Sequence, residues 1–318
     1  MMTALRRVAC VQIGGIPIAL STDDDRFLDL LCQRYDGFLS SSRPEFELEF
    51  DLSGSGAVSD DDVRVHCEGG DWLIERGDFR ARWDPRTGRG SVRQNASPYS
   101  LDSVLRILHS LILAQRGGFL LHAASAICDG RAYLFSGVSG AGKTTMTRLA
   151  PTDITLLTDE ISYLRPEDSF INAFQLGRRR PQGLKPVFSQ TRNGAAEAEP
   201  YPKPICETSS SPSGYSAFGT PFAGELAKSG ENCAAPVSAL FFLEQGPENR
   251  IDELSSTDAV RRLMRNILFF AEDQRLVEKL FATACDFVAK VPVRRLTFYP
   301  DARVWEEIRN FREVPEHA

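Results

Sequence analysis

The chain has 318 residues, 42% of them hydrophobic and 25% charged, with a net charge of −6 at pH 7. This is ordinary globular material, long enough to bury a sizeable core as one large domain or as an enzyme-sized domain with a smaller companion. The acidic balance offers no basic surface for nucleic acid or an anionic membrane, and no apolar run reaches the roughly 18 residues that a membrane span requires.

Residues 1–99 read as a small β-rich α+β unit. Val8 to Leu20 is apolar and broken at Gly14-Gly15, which predicts a hairpin. Thr22, with Asp25 three residues on, is the expected cap of a helix over 26–35, with Phe27, Leu30, Leu31 and Tyr35 on its apolar face. Phe46, Leu48, Phe50 and Leu52 alternate with polar residues, as in a strand buried on one side. Four short strands follow, over 63–67, 72–75, 79–84 and 91–93, with turns at Gly69-Gly70, Gly77-Asp78 and 85–90. His66 alternates with Val65 and Cys67 and is expected to face solvent. The acidic runs 23–25 and 60–62 read as a helix start and a solvated loop. No catalytic constellation is evident here, and docking of a protein or peptide substrate is the functional alternative.

Residues 100–318 are expected to form the catalytic domain. Ser100 is placed as the cap of a helix to about Arg116, with Leu101, Val104, Leu105, Leu108, Leu111 and Ile112 as its buried stripe and His109 packed among them. An apolar strand over 119–128 and the strand from Arg131 flank Asp129-Gly130, a strong two-residue hairpin signal. Counting back from a Cys128–Arg131 pair puts His122 opposite Gly137. Gly137-Val-Ser-Gly-Ala-Gly142-Lys143-Thr144 then fits the phosphate-loop (Walker A) pattern G-x-x-x-x-G-K-[ST], between a strand and a helix over 145–150. Its glycines let the backbone amides of Gly137, Ser139, Gly140, Ala141 and Gly142 curl around a phosphate, with Thr145 opening the helix behind them. Lys143 would reach the β/γ-phosphates of ATP, and the Thr144 hydroxyl would ligate Mg²⁺. A strand over 154–158 ends in Asp159-Glu160, where one acid can accept a hydroxyl proton while the other holds Mg²⁺. The antiparallel hairpin directly upstream of the loop sets the fold apart from the parallel-strand NTPases.

The run LLHAASAICDGRAYLFSGVSGAGKTT, followed by LLTDEIS, resembles the catalytic domain of HPr kinase/phosphorylase and related serine kinases. The resemblance is specific over 118–165 and looser to about Trp305. Gly219 to Glu225 (GTPFAGE) is similar to a motif of HPr-kinase-related proteins from peptide natural-product clusters. The resemblance implies an α/β fold with a mixed sheet and a phosphate-loop core of the HPr kinase and phosphoenolpyruvate carboxykinase type. It implies Asp159 as general base oriented by His122, and Glu160 beside Thr144 on Mg²⁺, with the two acids open to exchange. The glycine-rich signature that follows the acidic pair in the bifunctional enzymes is missing, so neither phosphorylase activity nor HPr as acceptor is implied.

Further on, Arg178-Arg-Arg180 is either a phosphate contact or a solvated turn, and 189–215 reads as a loop. Glu225 and Lys228 are candidates for substrate or metal contact. A strand over 237–243, helices from Ser255 to Phe270 and from Asp273 to Val291, a strand over 293–299 and an amphipathic turn bearing Trp305, Ile308 and Phe311 complete the chain. Seven cysteines, odd in number and without C-x-x-C spacing, signal neither zinc nor a disulfide framework. With no secretory leader read in MMTALRRVAC, a cytoplasmic setting is expected. The expected activity is ATP- and Mg²⁺-dependent phosphorylation of a serine or threonine on a protein or peptide, for instance a precursor peptide. A small-molecule kinase and a nucleotide-gated switch are the alternatives. Homo-oligomers are known in the family resembled, but no interface signature is read here.

Overall fold

The computed structural model describes residues 7–54, 62–167, 214–224 and 229–311. The expectations for Asp60, Asp61, Arg178 to Arg180, most of the 189–215 stretch, Glu225 and Lys228 lie outside the described residues. The chain is a mixed α/β protein built on two sheets.

Strands β1 (Arg7–Ile13) and β2 (Ile16–Thr22) form the expected hairpin, with Gly14 and Gly15 both at positive φ. Helix α1 (Asp25–Arg34) is capped by Asp24, whose carboxylate accepts the Phe27 N–H at 2.9 Å. Thr22 instead accepts the N–H of Asp24 itself, so the cap lies two residues later than expected. The buried face accordingly carries Phe27, Leu28 and Leu31, and Leu30 is exposed. Strand β3 (Phe46–Asp51) alternates buried and exposed as expected. Strands β4 (Arg64–Glu68), β5 (Asp71–Arg76), β6 (Phe79–Asp84) and β7 (Arg89–Gln94) form an antiparallel meander, and His66 is exposed. The sheet order β1-β2-β3-β7-β6-β5-β4 places β3 parallel to both neighbours, with α1 as the crossover from β2.

Helix α2 (Pro98–Gln115) starts after Ser97, with Pro98 in its first turn where the missing N–H costs nothing. Ser100 is therefore inside the helix, and its hydroxyl donates to Asp78 at 2.5 Å. The expected stripe is buried, and Ile107, Leu113 and Ala114 are buried as well. The helix is buried on most sides because one continuous apolar cluster runs from the first sheet through α2 into the second.

The second sheet is organised by β8 (Phe119–Cys128). Its first half pairs with β11 (Ile161–Pro166), and its second half with β9 (Arg131–Ser136) and β10 (Thr155–Thr158). Asp129 (φ 50°) and Gly130 (φ 76°) make the turn to β9, and the pairing runs from Cys128↔Arg131 to Ala123↔Ser136 as counted from the sequence. The short helix α3 (Lys143–Arg148) follows β9. Next come β12 (Tyr215–Phe218), β13 (Ala234–Gln245), β14 (Arg250–Glu253), helix α4 (Ser256–Asn266), β15 (Ile267–Leu268), α5 (Gln274–Lys290), β16 (Val293–Phe298) and α6 (Val304–Asn310). Strands β9, β13 and β16 are mutually parallel. Their carboxyl ends meet where the glycine-rich loop leaves β9, the edge at which open α/β sheets take ligands. Alternation along β13 sends Leu240 and Phe242 into the α2 cluster. Phe241 and Leu243 go to a second cluster with Met146 of α3 and Trp305 of α6.

The two sheets are joined by polar contacts as well as by the shared core. Arg165 donates to the Gly14 carbonyl at 2.6 Å, and the Tyr35 hydroxyl donates to Asp102 at 2.6 Å. A Cβ on Gly14, which sits at φ +60°, would come 2.1 Å from the Tyr163 ring. Gly14→Ala is expected to destabilise the fold by about 2 kcal/mol through backbone strain and the displaced ring. A lowered urea midpoint with unchanged slope is the readout, and an unchanged midpoint would remove this contact from the account.

Candidate active site

The loop Gly137–Thr144 is shaped by close approaches that exclude side chains. A Cβ on Gly137 would lie 2.7 Å from the Ala141 methyl, and one on Gly142 would lie 2.4 Å from the Phe298 ring. Gly140 and Gly142 have φ of +78° and +110°, which L-residues avoid. Gln245, at the end of β13, donates to the Gly140 carbonyl at 2.8 Å, and the Trp305 indole donates to Met146 O at 3.2 Å, holding α3. The helix opens at Lys143 rather than Thr145 and ends at Arg148, two residues earlier than expected. Six residues carry little macrodipole, so loop amides and the Lys143 charge dominate any anion attraction here. Lys143 is nearly buried, and its ammonium donates to the carbonyls of Gly137 (3.0 Å) and Val138 (3.4 Å).

A cleft of about 700 Å³ opens from this loop. Ser139, Gly140, Gly142, Lys143, Thr144 and Thr145 line one side, while Gly137 and Ala141 shape the loop behind it. His122, Glu160, Arg106 and Gly224 belong to the same lining. His122 is the last residue of β8 paired to β11, opposite Ile161, and its carbonyl accepts the Ser136 hydroxyl at 2.9 Å. Half-burial, with Lys143 nearby, pushes its imidazole below the usual histidine range, so the neutral ring is favoured at pH 7.

The acidic pair does not continue a strand. Asp159 and Glu160 occupy a bend between β10 and β11, and the Thr158 hydroxyl oxygen accepts the N–H of Glu160 (3.2 Å) and of Ile161 (3.1 Å). Asp159 is 3% exposed and accepts the Gly224 N–H at 2.9 Å. Glu160 reaches the cleft, 3.5 Å from the Arg106 guanidinium. Burial raises its carboxyl above the usual range, opposed by Arg106 and reinforced by Asp159. Gly224 has no room for a side chain, since a Cβ would sit 2.9 Å from the Glu160 Cβ and 3.0 Å from an Asp159 oxygen.

Five residues of the lining were not expected as site residues: Arg106, Arg148, Ala223, Gly224 and Gln245. Arg106 is the one arginine or lysine in the α2 sequence, a signal that a largely apolar helix points a cation somewhere specific. Among the described residues, no group of three or more His, Cys, Asp or Glu side chains could hold a metal. Thr144 and Glu160 line the same cleft, and hard oxygens of this kind suit Mg²⁺, which retains several waters and would need only one or two ligands from protein. No protein-family model matches the chain, and no curated protein matches it.

Proposed function

We propose that the chain is an ATP-dependent kinase that transfers the γ-phosphate to a serine or threonine hydroxyl of a protein or peptide. The fold would be an HPr-kinase-like phosphate-loop core with the first sheet fused to it. The observation that carries the reading is the convergence of Lys143, His122 and Glu160 on one cleft beside a loop whose positions 137, 140 and 142 require glycine. A switch that hydrolyses ATP needs water positioned, whereas a kinase needs a carboxylate facing an incoming hydroxyl. Glu160 faces the cleft and is assigned the proton acceptor, with neutral His122 beside it. Asp159, covered and tied to Gly224, is assigned with Thr144 to Mg²⁺, which would neutralise charge on the phosphates. This exchanges the roles implied by the family resemblance.

The test is transfer from γ-labelled ATP to peptides encoded beside the gene. Glu160→Gln is expected to lower transfer by about 10²–10⁴-fold with ATP affinity retained, and Asp159→Asn to raise the Mg²⁺ concentration needed. Loss of transfer with Asp159→Asn alone would return the base to Asp159. ATP binding with transfer to no peptide would move the assignment to a small-molecule kinase or a nucleotide-gated switch.

A further inference from the structure

Arg106 is a cation in an unusual position. It lies on α2, a helix otherwise buried on nearly every side, and its side chain keeps 25% exposure at the cleft wall. Its guanidinium carbon sits 5.1 Å over the ring of Phe222, which is fully buried. Stacking of this kind fixes the plane of the fork without using any of its N–H groups.

Its polar commitments are weak. A single Nη2 contact reaches Glu160 at 3.5 Å, and the buried Nε–H has no hydrogen-bond partner among the described residues. The chain builds arginine pairs differently where they serve the fold. Arg76 grips Asp78 with two bonds, Nε to Oδ1 at 2.5 Å and Nη2 to Oδ2 at 2.9 Å. Arg34 likewise holds Asp102 through Nε and Nη2. A pair meant only to neutralise Glu160 would be expected to close into the same bidentate fork. Arg106, Lys143 and Glu160 line the one cleft.

From this geometry we infer that Arg106 is a catalytic residue that binds the transferring phosphoryl group, leaving Glu160 when ATP and the acceptor hydroxyl arrive. The inference rests on the kinase reading above. The acceptor O–H gives its proton to Glu160, its oxygen bonds to the γ-phosphorus, and the bond from that phosphorus to the ADP oxygen breaks with the electron pair going to ADP. Arg106 makes and breaks no covalent bond. It offsets charge on the phosphoryl oxygens, and its departure frees Glu160 to receive the proton. The segment Gly219 to Gly224 thereby acquires two duties: Phe222 is the platform for Arg106, and Gly224 gives the acidic pair its space.

The experiment measures affinity for ADP with Mg²⁺, in the presence and absence of aluminium fluoride as a phosphoryl mimic, for the full chain and for Arg106→Lys and Arg106→Ala. Hydrolysis of γ-labelled ATP to water is followed alongside, so that no identified acceptor is required. Wild type is expected to bind ADP more tightly with the fluoride. Both variants should bind ADP alone within about 3-fold of wild type, yet lose at least about 10²-fold of the fluoride-dependent gain. Free guanidinium should partly restore Arg106→Ala, which a purely structural arginine would not allow. Arg106→Lys keeps the stem and the charge and carries the test if Arg106→Ala fails to fold. An Arg106→Lys protein with the full fluoride gain and wild-type hydrolysis overturns the inference and leaves the kinase reading intact. A wild type that binds ADP with no fluoride gain and transfers no phosphate overturns both.

Discussion

Lys143→Ala is expected to reduce phosphoryl transfer from ATP by about 10³-fold or more, the scale on which a preorganised charged group acts in a dry site. The ammonium is already drawn into the loop by the Gly137 and Val138 carbonyls, so it is placed before any anion arrives. Only a modest change of partner would be needed for it to meet β- and γ-phosphate oxygens. The loss should appear in ATP affinity as well as in turnover, because the loop amides alone cannot replace a full charge. The fold should survive, since the ammonium bonds only loop carbonyls, one of them on the exposed residue Val138. Lys143→Arg should fail nearly as badly, because a planar guanidinium does not fit where a compact ammonium is enclosed. Isothermal titration with ATP and Mg²⁺ separates the cases. Undiminished ATP affinity in Lys143→Ala would remove the nucleotide from this loop and the kinase reading with it.

The loop and the histidine were legible because both depend on local rules. Asp129-Gly130 dictates a tight hairpin, a hairpin fixes a register, and the register carries His122 to the end of β9 with no tertiary information. The acidic pair was legible in identity but not in geometry. Strand alternation would send Asp159 and Glu160 to opposite faces, yet β10 and β11 are separate strands on one edge of β8, and the pair occupies the bend between them. Arg106 and Phe222 meet only because α2 and the 219–224 segment, more than a hundred residues apart in sequence, pack against each other. No spacing within either segment encodes that. The parallel placement of β3 was hidden for the same reason, since its alternating pattern fits an antiparallel meander equally well. The caps shifted by two or three residues where side chains had competing duties, Thr22 bonding Asp24 and Ser100 bonding Asp78.

Stability is expected to fall steeply between pH 6.5 and pH 4, with His109 as a principal cause. The ring is completely buried in α2, packed edge-on to Tyr163, with Nδ1 3.1 Å from the Tyr163 hydroxyl and no hydrogen-bond partner for Nε2 among the described residues. Burial, and then the charges of Arg116 and Arg165, push its pKa down to about 3. In the unfolded chain the imidazole titrates near the ordinary value of about 6.5. Below that value the unfolded state binds a proton that the folded state refuses, so stability rises with pH across the interval and is lost as pH falls. The contribution is complete above about pH 7 and amounts to a loss of order 3 kcal/mol by pH 4. Other groups titrate in the same window, so the informative quantity is the difference between proteins. His109→Phe retains the ring volume and edge-on packing but cannot titrate. It leaves the Tyr163 hydroxyl short of a partner, at a cost of about 1–3 kcal/mol near pH 7. Its urea unfolding free energy should therefore start below that of wild type at pH 7 and meet or cross it towards pH 4. Parallel profiles for the two proteins would show that a protonated His109 is accommodated in the fold, and that α2 is open to water where it is now tightly packed.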